Sequence, residues 1–144
     1  MARYLIESGH RVTGVDASPG LIELCRERFP DQDWIVGDMR EARFGQRFGG
    51  ILAWDSFFHL TPDDQRQMFT VFGEHAADGA ALMFTSGPRG GEAIGSYRGE
   101  ALYHASLDAA EYEKLLAAHG FGVIAHIAND PLCGGHTVWL ARKA

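Results

Sequence analysis

Lysine and cysteine are scarce in this sequence, and no apolar run is long enough to cross a bilayer. Of 13 basic residues only Lys114 and Lys143 are lysines, and no like-charge run suggests a tail. The net charge is −6 with a pI near 5.6. That balance argues against a duplex nucleic-acid binder, which normally presents a basic face. Cys25 and Cys133 stand far apart with no CxxC partner, so neither a disulfide framework nor a zinc site is expected. No stretch approaches the roughly 18 apolar residues of a membrane span. The opening "MARYLIESGH" lacks the apolar core of a secretory leader. These absences point to a reducing, cytoplasmic location, with no metal and no membrane partner.

What is present is ordinary for a globular chain: 144 residues, 46 % apolar and 22 % charged. That is enough for one domain, 1–144, and too little for two usual ones. No internal repeat or linker divides it. Residues 2–8 read as a helix end stopped by Gly9. "RVTGVD" (11–16) alternates as a strand. Ser18 then caps a helix with Pro19 at its first position, and Leu21, Leu24, Cys25 and Phe29 recur at helical spacing on its expected inner side.

"DWIVGDM" (33–39) and the apolar "GILAWD" (50–55) are the next strands, the latter expected to be buried on both faces. Thr61 and Pro62 open a helix with Asp63 and Asp64 in its first turn and Met68, Phe69 and Phe72 inward. "DG" at 78–79 marks a turn before the strand "AALMFT" (80–85). The glycine-rich segment 86–104 reads as a long irregular loop, a frequent place for function. Asp108 opens a last helix, with Tyr112, Leu115 and Leu116 inward. It is followed by strands 121–127 and 136–142, joined by a short loop as an antiparallel pair.

This alternation predicts an α/β, three-layer sandwich with a mostly parallel sheet and an antiparallel C-terminal hairpin. Ligands in such sheets bind beyond the carboxyl ends of the strands. Asp16, Asp38 and Asp55 each end a strand in this reading, and so are expected on one rim.

The pieces "VTGVDASPGLIELCRERFP", "DWIVGDMRE", "GGILAWDSFFHL", "GAALMFTSGP", "HGFGVIAHI" and "GGHTVWLAR" resemble, in order, the class I S-adenosylmethionine-dependent methyltransferases of small-molecule type, whose fold is Rossmann-like. The resemblance implies S-adenosyl-L-methionine as cofactor and a small-molecule methyl acceptor as partner; a homodimer is left open. It implies that Asp16 holds the ribose and that Asp38 accepts from the adenine amino group beside the backbone of Met39. Ala17 and Met39 become apolar neighbours of the ring. The carbonyl of Trp54 or the side chain of Asp55 takes the amino group of the methionine end. His59 is the candidate general base or substrate contact. Phe57 and Phe58 read as core rather than cofactor wall. Arg89, Tyr97, Arg98, Tyr103 and His104 are unranked candidates for the acceptor.

One family feature has no counterpart: the first strand and glycine-rich turn, G-x-G-x-G, are missing from residues 1–10. The expectation is a chain begun at an internal methionine, which alone binds cofactor poorly. Direct pairing of strands 11–16 and 50–55, or a strand supplied by a second chain, are the alternatives. A non-catalytic binding module derived from the fold is the rival function. A nicotinamide-dependent oxidoreductase needs the same glycine loop, and a receiver domain needs a lysine that "FTSGP" lacks.

Overall fold

A hydroxyl residue followed by proline starts two of the helices. Ser18 Oγ accepts from the Leu21 N–H and Thr61 Oγ1 from the Asp64 N–H, satisfying donors that a helix start leaves free. The computed structural model describes all 144 residues and resolves into two compact units, Met1–Arg43 and Phe44–Ala144.

The first unit holds α1 (Ala2–Glu7), β1 (Thr13–Asp16), α2 (Pro19–Arg28), β2 (Asp33–Val36) and a 3-10 turn at Met39–Glu41. α1 stops at Ser8, and Gly9 follows at φ +87°, as the glycine stop predicts. β1 and β2 pair in parallel, Thr13 opposite Asp33 through Asp16 opposite Val36. A Cβ on Gly14 would sit 2.4 Å from Trp34 Cζ3, so the glycine inside β1 lets the indole lie on the backbone. The Trp34 ring nitrogen in turn donates to the Phe29 carbonyl at 2.9 Å and so holds the end of α2.

The inner face of α2 is narrower than its spacing predicts. Ile22 is its only buried residue, with Cys25 and Phe29 half-buried, whereas Leu21 and Leu24 are exposed. Two short strands cover only one stripe of a helix. β2 is also shorter than expected. Asp38 lies beyond it and caps the 3-10 turn by accepting from the Arg40 N–H.

The second unit contains β3 (Phe48–Ala53), a 3-10 turn at Phe57–His59, α3 (Pro62–His75), β4 (Ala76–Ser86), β5 (Gly91–Tyr97), β6 (Glu100–Ser106), α4 (Ala109–Ala118), β7 (Phe121–Asp130) and β8 (His136–Lys143). Its main sheet runs β3-β4-β8-β7. β3 and β4 are parallel, and β8 is antiparallel to both β4 and β7, giving the expected terminal hairpin.

Two expectations change here. β3 is not buried on both faces: only Ala53 is buried and Leu52 is exposed, and within its sheet β3 is an edge strand with β4 as its sole partner. Asp78-Gly79 does not precede β4 but interrupts it, Gly79 at φ +76°, where the pairing slips from Phe48–Ala76 to Gly50–Ala81.

Segment 86–104 is not an irregular loop. It forms the β5–β6 hairpin around the two-residue turn Arg98-Gly99, both at positive φ (+53° and +87°), the backbone that twisted strands favour. Every residue of β5 is exposed, so no alternation of apolar residues announces it.

α3 packs its expected stripe, Met68, Phe69 and Phe72, into a core of rings. Phe57, Phe69, Phe84, Tyr112 and Trp139 are all at most 1 % exposed. Their centroids lie 5.4–6.1 Å apart, mostly edge-on or tilted, with Phe84 stacked on Trp139 at 5.7 Å.

One polar side chain enters this core. The Gln65 amide donates to Leu60 O at 3.0 Å and Ala105 O at 2.9 Å, and its oxygen accepts from the Tyr112 hydroxyl at 2.6 Å. Tyr112 also receives the Leu107 N–H at 3.1 Å, so the buried network is closed.

Two stability outcomes follow. Gln65→Leu strands two carbonyls and a hydroxyl in the core and should cost about 1–3 kcal/mol, read as a lower urea midpoint with unchanged slope. Gly14→Ala forces a methyl against the Trp34 ring and should cost about 1–3 kcal/mol. An unchanged indole emission and urea midpoint in that variant would contradict the close approach.

Candidate active site

The two candidate acids of the first unit, Asp16 at the end of β1 and Asp38 two residues beyond β2, differ in how they are used. Asp16 ends β1 and is exposed. Its Oδ1 accepts from the Ser18 N–H at 2.8 Å, and its Oδ2 has no partner. Ser18 caps α2, so the second Asp16 oxygen is free for a ligand. Asp38 is committed. Its Oδ1 accepts from the Arg40 backbone N–H at 2.9 Å, and both oxygens accept from the Arg40 guanidinium. These bonds hold the Asp38 carboxyl below its ordinary range, the Arg40 side chain contributing most. Ala17 is exposed and Met39 half-buried.

In the second unit the chain turns sharply after β3. Asp55 adopts φ +49°, a left-handed backbone that aspartate tolerates better than most residues, and its N–H donates to the buried Thr85 Oγ1 at 2.9 Å. The turn presents Asp55 and half-buried Trp54 beside His136, the first residue of β8. His136 Nε2 lies 3.4 Å from Asp55 Oδ1, and the two rings of Trp54 and His136 meet edge-on at 6.2 Å.

A continuous row of rings extends from there. Phe58 is stacked with His136 at 6.5 Å and with His104 at 5.2 Å, and His59 lies 4.9 Å from His104. Phe57 is core, as expected, but half-buried Phe58 belongs to this row. His59 Nδ1 faces the Tyr103 carbonyl at 2.9 Å and His104 Nδ1 faces the Leu102 carbonyl at 3.1 Å.

The other loop candidates separate. Arg89 is exposed in the approach to β5, and Arg98 stacks over Tyr97 at the hairpin tip. Tyr103 donates to Glu92, and that bond pushes its hydroxyl pKa up to about 12. The structure therefore brings Trp54, Asp55 and His59 together in the second unit and adds His104 and His136. Asp16, Ala17, Asp38 and Met39 belong to the first. His136 gave no signal in the sequence, being separated from Asp55 by 81 positions that only the sheet brings together.

The Rossmann-like character of the fold is seen in solved structures. The amino pentose methyltransferase CalS10 of Micromonospora echinaspora, bound to S-adenosylmethionine, superposes with a TM-score of 0.74 over 93 % of this chain and 74 % of its own at 18 % identity. The 1,6-didemethyltoxoflavin-N1-methyltransferase of Burkholderia thailandensis, with its acceptor and S-adenosylhomocysteine bound, gives 0.74 over 99 % and 65 % at 22 % identity.

A family model described as "Methyltransferase domain" matches residues 1–79, more than half of the sequence, and the chain belongs to that family. The magnesium-protoporphyrin O-methyltransferase of Rhodobacter capsulatus is 31 % identical over an aligned stretch of 90 residues that covers 59 % of this chain. The chain spans about two fifths (39 %) of the length of that curated relative.

The Asp38–Arg40 pair makes a testable statement about protonation. Because the folded carboxyl is depressed, the pair adds stability above the ordinary carboxylate range and loses it as pH falls through the folded value. In a carboxyl carbon NMR titration, Arg40→Ala should raise the Asp38 midpoint toward about 3.9. An unmoved midpoint would show that Arg40 does not hold it.

Proposed function

We propose that the chain is an S-adenosyl-L-methionine-dependent methyltransferase acting on a small-molecule acceptor, with both units parts of one domain. The observation that carries this reading is Asp16: an exposed carboxylate at the carboxyl end of a parallel strand, one oxygen fixed by the Ser18 N–H and the other free. A carboxylate so held can accept from the two hydroxyls of a ribose. The family match supports it, since it runs from the first unit into the second. No helix is long and apolar enough to cross a membrane. The unpaired Cys25 and Cys133 suit the reducing cytoplasm we assign to it.

The roles divide by residue. Asp16 holds the ribose, and Ala17 and Met39 flank the adenine. Asp38 accepts from the adenine amino group, in competition with Arg40. Asp55 or the Trp54 carbonyl takes the amino group of the methionine end. The cofactor, when bound, supplies a methyl group on a sulfonium and takes the carbon–sulfur electron pair as the methyl leaves. His59 receives the proton of the acceptor where one must be lost. Alignment of the acceptor with the donor does the rest.

Calorimetric titration of the 144-residue chain with S-adenosylhomocysteine tests the reading. Weak but saturable binding is expected, weakened further by at least about tenfold in Asp16→Ala, or roughly 1.4 kcal/mol, and unchanged by Asp33→Ala. No binding, or binding indifferent to Asp16, would favour a non-catalytic module of the same fold.

A further inference from the structure

The row of rings in the second unit has two unlike ends. At one end His136 leans on a carboxylate, that of Asp55. At the other, His59 and His104 each turn Nδ1 toward a main-chain carbonyl. A carbonyl oxygen only accepts, so in both rings Nδ1 must carry the hydrogen. A neutral ring so held presents Nε2 as a bare lone pair, and neither Nε2 has a partner in the protein.

Both rings are half-buried and come from separate elements, the 3-10 turn and β6. Their spacing is enforced from beneath. The buried Gln65 amide bonds the carbonyls of Leu60 and Ala105, the residues that directly follow His59 and His104. Phe58 backs His104 with a stacked ring. Across the hairpin, a Cβ on Gly95 would already touch His104 Cε1 at 3.4 Å, so the glycine leaves this ring uncovered.

We propose that His59 and His104 together form the site for the methyl acceptor, and that the acceptor is a neutral or protonated compound presenting O–H or N–H groups rather than a carboxylate. Two imidazoles whose ring centres lie 4.9 Å apart, each with a lone pair at Nε2, attract hydrogen-bond donors and repel an anion. Asp55, at the other end of the ring row, adds to that repulsion. This rests on the methyltransferase reading and adds to it a second contact, His104, and a class of substrate. Where the acceptor must lose a proton, one Nε2 would take it and become imidazolium. Bound cofactor would supply a methyl group to the lone pair so freed, the carbon–sulfur electron pair leaving with sulfur, so that a neutral acceptor ends as a neutral product and a protonated one as a methylated cation.

The test needs no loaded enzyme. With histidine nitrogens labelled, NMR at neutral pH should show the Nδ1–H form for His59 and His104. Catechol or benzylamine should shift both Nε2 signals, and benzoate should shift neither. His104→Phe keeps a ring against Phe58 but has no lone pair. It should weaken catechol binding at least about fivefold, the worth of one hydrogen bond. His126→Gln, on the exposed edge strand β7, should bind catechol as before.

An Nε2–H form at either residue overturns the proposal, as does a response to benzoate alone or catechol binding indifferent to His104→Phe. The wild-type spectrum decides the first two even where the variant fails to fold. S-Adenosylhomocysteine titrated into the same samples separates the two ideas. Cofactor binding without a catechol response leaves the methyltransferase and removes this site. The reverse keeps the site and removes the cofactor.

Discussion

The second unit is organised by a single amide. Gln65 lies wholly inside a core of rings, where an unbonded polar side chain would be costly. It is tolerated because both ends of the amide are used: two carbonyls accept from its nitrogen and a hydroxyl donates to its oxygen. Those partners lie on the turn after β3, on β6 and on α4, so one side chain on α3 fixes three other elements. The hairpin has almost no apolar burial of its own. The bond to Ala105, with that of His59 to the Tyr103 carbonyl and the ring of Phe58 against His104, ties β6 to the turn after β3.

Much of this was legible because local chemistry and burial agreed. Ser18-Pro19 and Thr61-Pro62 start helices for the reason their residue types suggest. Even Gln65 carried a signal: it sits three before Met68 and four before Phe69, on the very stripe that the apolar residues define. A glutamine at such a position is either a break in the stripe or a built bond, and its partners decide which. β5 was not legible, because an exposed, glycine-rich strand lacks the period-two burial that marks strands. β3 misled in the opposite way. Its apolar run suggested two covered faces, yet one pairing edge carries no strand.

The candidate site was legible in its members and not in their states. Asp16 and Asp38 look alike as acids beyond parallel strands, but an arginine two residues on engages one of them and no such neighbour reaches the other. His59 stood out as a histidine after a strand. Its proton arrangement depends on the Tyr103 carbonyl, 44 positions away, which no spacing rule connects to it. His104 was one of five undistinguished loop residues until the hairpin register placed its ring beside His59 and Phe58.

The hairpin has ends that are tied and a tip that is not. The Gly87 N–H donates to Ser106 Oγ at 3.1 Å and the Gly90 N–H to Asp108 Oδ1 at 2.9 Å, closing the excursion at its root. Between root and tip β5 is exposed throughout, β6 is half-buried along Leu102–His104, and a two-residue turn closes the ladder. Side chains alternate faces along a strand. Insertions of paired residues at the tip therefore lengthen the flap and leave the His104 ring on its face. A single inserted residue that slips the ladder turns Tyr103 toward the ring row instead. The chain thus carries, above an unyielding core, a part whose reach can drift by evolution in steps of two.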